Sequence, residues 1–323
     1  MCSNPRLSLT AAIADRSVPR VDYSAETLRL TARIAAGELG RVNAVTADAA
    51  GWSDLEFEAR RLGRGQSWEI DTGEREAALV LLGGVASVRS NRGDWPHIGR
   101  RPDVFSGMPW ALYLPRGTRA EIRADGERAE AALASAPAAA DYPARLIRPA
   151  DVAIEIRGAG SNTRQINAIL PPGAPCDRLV CVEVYTPSGN WSSYPPHKHD
   201  IHRLAPDGAL LEADLEELYF YKMAQPGGHA LQRIYSPERG LDAAVTARDG
   251  DLVLIPFGYH PVSAAFGYDC YYLNFLAGSA QSLASTDDPE HAWVKRTWRE
   301  TDPRVPMVTH AMEVDGGSPG HAR

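Results

Sequence analysis

His197-Lys198-His199 closes the run Gly189-Asn190-Trp191-Ser192-Ser193-Tyr194-Pro195-Pro196, and it is the part of the chain best equipped for chemistry. Side chains alternate along an extended segment, so two histidines two apart project to the same side and can share one metal ion. Two later stretches can complete such a site. Glu216-Glu217-Leu218-Tyr219-Phe220-Tyr221 is an acidic strand, and Pro256-Phe257-Gly258-Tyr259-His260-Pro261 is a loop carrying a third imidazole. Three imidazoles and one carboxylate suit a divalent transition metal with a position left open for substrate. Glu216 and Glu217 are adjacent and must face opposite ways. Glu217 falls on the side of Tyr219 and Tyr221, whereas Leu218 and Phe220 pack on the other, so Glu217 is preferred as the ligand. Zinc, manganese, iron(II), cobalt and nickel all tolerate this donor set.

The elements that must hold these residues read as short strands. β-rich runs at 77–82, 111–114, 178–185, 217–221, 252–255 and 271–276 recur between Gly, Pro and Asp turns, which points to an all-β sandwich or barrel. Helical periodicity is confined to 27–36, with Ser24 as its N-cap. The Ala-rich stretch 127–140 reads as a short helix or a connection. The boundary between two domains, 1–140 and 141–323, is placed there. Residues 203–214, around Pro206-Asp207-Gly208, read as a loop, and 7–14 as a loose terminus.

A weak repeat relates the halves: 111–118 and 252–260 are each an apolar strand ending in Pro-x-Gly. The chemistry is not repeated. Thr118 stands where the repeat would place a ligand, and His97 is the one histidine of the nine that precedes residue 190. The metal belongs to the second half and the first is structural.

The 323 residues are ample for a large core or two domains. A net charge of −7 and a pI near 5.7 argue against nucleic-acid binding. No apolar run approaches the length of a bilayer span. Cys2, Cys176, Cys181 and Cys270 show no paired spacing. Cys181 and Cys270 lie in apolar runs as buried thiols, consistent with a reducing, cytoplasmic setting.

The motifs resemble a known family. Pro-x-Gly loops, His-x-His and a strand glutamate are marks of cupins, the double-stranded β-helix (jelly-roll) barrels. The run 189–200, Pro256-Phe257-Gly258-Tyr259-His260-Pro261-Val262 and Tyr271-Tyr272-Leu273-Asn274-Phe275 are similar to the 5-deoxy-glucuronate isomerase family, bicupins of bacterial myo-inositol catabolism. Gly51-Trp52-Ser53-Asp54-Leu55 and Leu81-Leu82-Gly83-Gly84 extend the likeness, which runs from about 55 to 306. It implies a two-domain bicupin with His197, His199, Glu217 and His260 as ligands. The activity it implies is an aldose–ketose isomerisation on a sugar acid, 5-deoxy-glucuronate to 5-dehydro-2-deoxy-gluconate. The related ketol-isomerase of pectin breakdown shares the His-x-His and the Glu-x-Tyr-Phe-Tyr strand. An iron-dependent cupin dioxygenase and a non-enzymatic sugar-binding cupin are the other readings.

For the proton transfers the candidates are Glu183, in an otherwise apolar strand, and Tyr219, Tyr221 and Tyr272. Glu183 has an equal alternative as the structural partner of an arginine. The substrate carboxylate calls for a cation. Arg164 is the first choice, because a guanidinium fork matches a carboxylate. Lys198 is the second, although alternation turns it away from the histidines and toward Asp200. Tyr194, Gln232 and Asn274 are further candidates for the pocket wall, with Arg233 the alternative to Gln232. His202 is the rival metal ligand. Exposed strand edges and duplicated barrels suit a homodimer.

Overall fold

The computed structural model describes residues 21–312, so the 7–14 stretch, Cys2 and His321 lie outside the described residues. Strands dominate, and every strand pairing between them is antiparallel. The first barrel is one eight-stranded sheet curled around the long pair Arg75–Ser90 and Arg119–Pro137. The second is built from two sheets. One carries Leu252–Ile255, Leu210–Met223, Cys270–Gly278, Val180–Thr186, Arg164–Leu170 and Ala153–Arg157 side by side; the other carries Trp191–Ser192, Val262–Ala264, His229–Ser236 and Leu241–Arg248. The chain is an all-β bicupin, as its patterning and resemblance predict.

Three local expectations are corrected. The helix expected over 27–36 is a single turn, Ala25–Leu28, capped by Ser24. It stops because Arg29 and Leu30 pair with Val253 and Leu252 of the second barrel. The Ala-rich stretch is neither helix nor linker but the end of the strand Arg119–Pro137. Its alanines at 129, 131, 132, 134 and 136 are buried on both faces between two other strands, a place where small side chains let layers close up. The region 203–214 is a hairpin in which Asp200–Leu204 pairs with the start of Leu210–Met223, and only its tip turns.

Register explains which faces matter. In the second barrel Glu217, Tyr219 and Tyr221 stand opposite Leu276, Asn274 and Tyr272, all turned inward. Leu218 and Phe220 face the other barrel, where Phe57 lies 5.2 Å from Phe220 and 6.2 Å from Phe275, ring centre to ring centre. In the first barrel Ala77 pairs with Leu114 just before Pro115, as Glu217 pairs with Ile255 just before Pro256. Ala77, Leu79 and Leu81 therefore hold the places of Glu217, Tyr219 and Tyr221, and the first barrel's interior is apolar.

The same register makes Glu76 the counterpart of Glu216, and the two behave alike. Glu216 accepts backbone N–H bonds from Ser53, Asp54 and Leu55 at 2.7–3.0 Å, where the chain enters a strand of the first barrel. Glu76 accepts from Asp177, Arg178 and Leu179 at 2.7–2.8 Å, where it enters a strand of the second. Each barrel thus holds the other's entry segment with one carboxylate, and Arg178 and Asp54 join the two clasps at 3.1 Å.

Candidate metal centre and its cavity

The strand pair His197–Lys198, the strand Leu210–Met223 and the loop after Leu252–Ile255 meet at one end of the second barrel. They bring together His197, His199 and His260, whose ligating atoms lie within 4.8 Å of one another. Among the described residues no other group of three His, Cys, Asp or Glu is arranged to hold a metal. Glu217 enters the same space. Its Oε2 is 2.9 Å from His199 Nε2 and 3.1 Å from His260 Nε2. Glu216 turns away into its clasp.

The imidazoles are oriented as ligands. His199 Nδ1 lies 3.1 Å from the carbonyl of Leu215, and His260 Nδ1 lies 2.8 Å from the carbonyl of Gly258. A carbonyl only accepts, so each Nδ1 carries the proton and each Nε2 of the neutral ring offers a lone pair. His260 Nε2 is fully buried and makes no hydrogen bond. Two lone pairs aimed at a carboxylate oxygen repel unless a cation lies among them, and a divalent ion satisfies all four donors at once. The residues present fit a metal.

Electrostatics agree. Loss of water and the neighbouring imidazoles hold His197 well below the ordinary histidine pKa, so it is neutral at pH 7. Burial opposes ionisation of Glu217, but its contacts with His199 and His260 outweigh that and keep it far below the usual carboxylate range. Burial likewise disfavours a charge on His199, and contact with Glu217 reverses the balance, raising its pKa.

Over the centre opens a cavity of about 630 Å³. Arg164, Tyr194, His197, His199 and Glu217 line it, with Glu155, Arg157, Asp287, Lys295 and Trp298 among the rim residues. Arg164 is 8% exposed and donates to the carbonyls of Asn162 and Tyr194 at 3.2 and 3.3 Å. Burial lowers its pKa, and the guanidinium remains charged at neutral pH. Among the described residues no carboxylate pairs with it.

The other nominated residues divide into two groups. Tyr219, Tyr221, Tyr272, Gln232 and Asn274 turn inward but lie below the cavity, in a packed polar layer. The Tyr219 and Tyr272 rings are tilted at 47° with centres 4.8 Å apart. Tyr272 donates to Ser192 Oγ at 2.9 Å, and Tyr221 donates to Gln232 Oε1 at 2.8 Å. Asn274 donates to the carbonyl of Leu218. Burial pushes the Tyr272 phenol up to about 12 and raises the other two tyrosines well above their ordinary value, so all three are protonated donors at neutral pH.

Glu183 and Lys198 are not brought to the cavity. Glu183 pairs across the sheet with Leu273, on the face turned toward the first barrel. Its carboxylate takes both Arg101 nitrogens at 3.2 and 3.0 Å and accepts from Asn167, Tyr185 and Tyr271. Of its two readings, the arginine pair is the one seen. Lys198 pairs with Asp200 and, at 3.3 Å, with Glu212. His202 is exposed and bonded to Ser279, and Arg233 points outward to Asp242. The rim residues 287–298 carried no strand or helix pattern. Their one signal is the clustering of Trp293, Lys295, Arg296 and Trp298 in a short stretch.

Known proteins resemble this chain. A family description, KduI/IolB, matches residues 29–294. A protein of Geobacillus thermodenitrificans named 5-deoxy-glucuronate isomerase is 44% identical over 80% of this chain and 92% of its own length. One of the same name from Bacillus subtilis is 36% identical over 78% and 92%. The crystal structure of an IolB-like protein from Salmonella typhimurium superposes with a TM-score of 0.77 at 38% identity, over 83% of this chain and 98% of that one. Oxalate decarboxylase of Bacillus subtilis, a protein described with Mn(II) centres, shares the fold at 13% identity, with a TM-score of 0.56 over 84% of this chain and 81% of its own. On the breadth of the family match and the identity to these relatives, this chain belongs to the KduI/IolB family.

Proposed function

We propose that this chain is a metal-dependent aldose–ketose isomerase that interconverts 5-deoxy-glucuronate and 5-dehydro-2-deoxy-gluconate in myo-inositol catabolism. The observation that carries the reading is the pairing, in one cavity, of a four-donor metal centre with a buried guanidinium that has no carboxylate of its own. The names of the relatives supply the substrate. His197, His199, Glu217 and His260 would hold one divalent transition ion. When bound, it would supply Lewis-acid polarisation of a carbonyl and its neighbouring hydroxyl.

The chain's own residues do the rest. Arg164 grips the substrate carboxylate with its planar fork and orients the far end of the molecule. Tyr194, whose carbonyl accepts from Arg164, forms the adjoining wall. Tyr219, Tyr221 and Tyr272, protonated at neutral pH, fix the floor under the ligands through Ser193, Ser192 and Gln232. Isomerisation removes a hydrogen from the carbon bearing the hydroxyl and delivers one to the former aldehyde carbon, with no net oxidation. The three free thiols among the described residues are buried, which suits a cytoplasmic enzyme.

The test is an isomerase assay on 5-deoxy-glucuronate with metal content read on the same sample. Turnover is expected to vanish on chelation and return with zinc, manganese, iron(II), cobalt or nickel. His197→Ala and His260→Ala should lose the ion and lower kcat/KM by more than the roughly 10–100-fold that outer partners of a metal site cost. Metal-loaded, folded protein that does not turn over this aldose overturns the assignment, and turnover of a deoxy-keto-uronate instead would move it to the pectin-type reaction.

A further inference from the structure

We propose that the arm of residues 300–308 is the positioning element for Arg164, holding its guanidinium where a substrate carboxylate meets it; the identity of that sugar acid rests on the isomerase reading above. The arm lies beyond the segment that the family description matches, residues 29–294. Among the described residues the Arg164 side chain is bonded only through Nη1, which donates to the carbonyls of Asn162 and Tyr194. Its Nε and Nη2 have no partner there, and they are not among the unpartnered atoms closed to solvent. They are the part of the fork left for a ligand.

Left to itself, the backbone around Arg164 would hold this fork poorly. Arg164 opens the strand Arg164–Leu170, whose outer neighbour Ala153–Arg157 is the last strand of its sheet. Arg157 stands directly opposite Arg164 across that pair. Like charges in facing positions of an antiparallel pair repel. Glu155 takes up Arg157 at 2.6 and 2.9 Å and leaves Arg164 without a counter-charge. The connection between the strands is also tight. Gly158 has φ +82°, and a Cβ there would lie 3.0 Å from Arg164 Nη1. A small movement of residues 158–163 therefore moves the guanidinium.

The arm fixes this connection at three points, with Arg164 among them. The carbonyl of Glu300 accepts from Gly160 N at 2.8 Å, and Asp302 N donates to Thr163 Oγ1 at 2.9 Å. Gln165 Oε1 accepts from Met307 N and Val308 N at 2.6 and 3.1 Å, and Gln165 Nε2 donates to the carbonyl of Val308 at 2.7 Å. Asn190 locks the middle point, donating to the carbonyl of Thr163 and to Asp302 at 3.0 Å each. Thr163 and Gln165, the neighbours of Arg164 on either side, are fully buried and both held by the arm. Among the described residues no bond from the arm goes to Arg164 itself. A guanidinium fixed before its ligand arrives loses less binding free energy to ordering.

The test is a mutant cycle. Thr163→Val keeps the branched side chain and removes the oxygen to which Asp302 N donates. In metal-loaded enzyme it should raise KM for 5-deoxy-glucuronate about fivefold or more with kcat within about twofold, the pattern of binding lost equally from ground and transition states. Thr163→Ser, which restores the hydroxyl, should return KM to the wild-type value. In an Arg164→Ala background Thr163→Val should add nothing, because the group it positions is gone. Asp302→Ala, which releases the arm from Asn190, is carried through the same cycle and serves alone if Thr163→Val does not fold. A wild-type KM in the folded variants, or a rise that persists in full without Arg164, overturns the proposal. Calorimetric titration of the same metal-loaded proteins with D-glucuronate repeats the cycle without turnover. If the wild-type protein binds D-glucuronate but does not isomerise the aldose, the isomerase reading falls and the binding cycle decides. If it does neither, Arg164 meets no carboxylate and the proposal falls as well.

Discussion

A carboxylate buried among apolar strands can serve chemistry or architecture, and Glu183 shows how the two are told apart. Its strand pattern, Val180-Cys181-Val182-Glu183-Val184-Tyr185, says only that it is buried. The deciding partner, Arg101, is 82 residues away and belongs to the other barrel, and no local pattern contains that fact. Glu183→Gln leaves the Arg101 guanidinium, 3% exposed, without its counter-charge. It should cost about 3–5 kcal/mol of stability, as breaking one side of a buried pair does. Turnover per folded, metal-loaded molecule should be unchanged. Thermal melts and an assay normalised to bound metal check this, and a catalytic defect without loss of stability would return Glu183 to the mechanism. By contrast, the choice of Glu217 over Glu216 was legible, because adjacent residues on a strand cannot share a face and the tyrosines mark the inner one.

At the scale of elements, the Pro-x-Gly loop is a positioning device. Gly258 has φ +85°, and a Cβ there would lie 2.4 Å from the carbonyl oxygen of Tyr235. Its N–H donates to Asp200, and its carbonyl receives His260 Nδ1. Gly258→Ala must shift backbone against backbone and carry His260 with it. It should weaken metal binding by about 10–100-fold, the usual cost of disturbing a ligand's outer partner, and lower the Tm. Metal titration by calorimetry would read the first effect; unchanged affinity would mean that the loop has slack the close contact does not suggest. This element could be found from its residues because Pro and Gly impose their own geometry. The alanine-rich strand could not. Alanine is the best helix former in isolation, and it is long-range pairing on both sides of Arg119–Pro137 that makes it a strand.

For the molecule as a whole, the two barrels share a charged seam as well as an apolar one. Glu130 of the first barrel bonds Arg61 at 3.0 Å and Lys222 of the second at 3.0 Å. Burial would raise its pKa, but the two cations win and hold it below the ordinary value of 4.5. A carboxyl whose pKa is lower folded than unfolded stabilises the protein above the unfolded value. It loses that contribution as pH falls from about 4.5 through the folded value. Glu130→Gln should therefore lower the Tm at pH 7, and its deficit should shrink as the pH is brought below about 4.5. Parallel melts of the two proteins from pH 7 to 3 test the sign, and a deficit that grows in acid would refute it. The likeness of the two barrels was visible in the repeated Pro-x-Gly strands. The first barrel's loss of chemistry was visible too, in its want of histidines. The rim was not, since it is assembled from segments brought together only by the closed fold.

The reciprocal clasps of Glu76 and Glu216 bear on whether either barrel could stand alone. On each side three backbone N–H groups of one barrel are held by a carboxylate of the other. Cut the chain between the barrels, and either half loses the acceptor that holds three of its strand-entry N–H groups. The apolar barrel holds no metal cluster among its described residues, yet the working barrel depends on it to hold the entrance to its strand Val180–Thr186. The barrel without a site is thus a support for the barrel that has one.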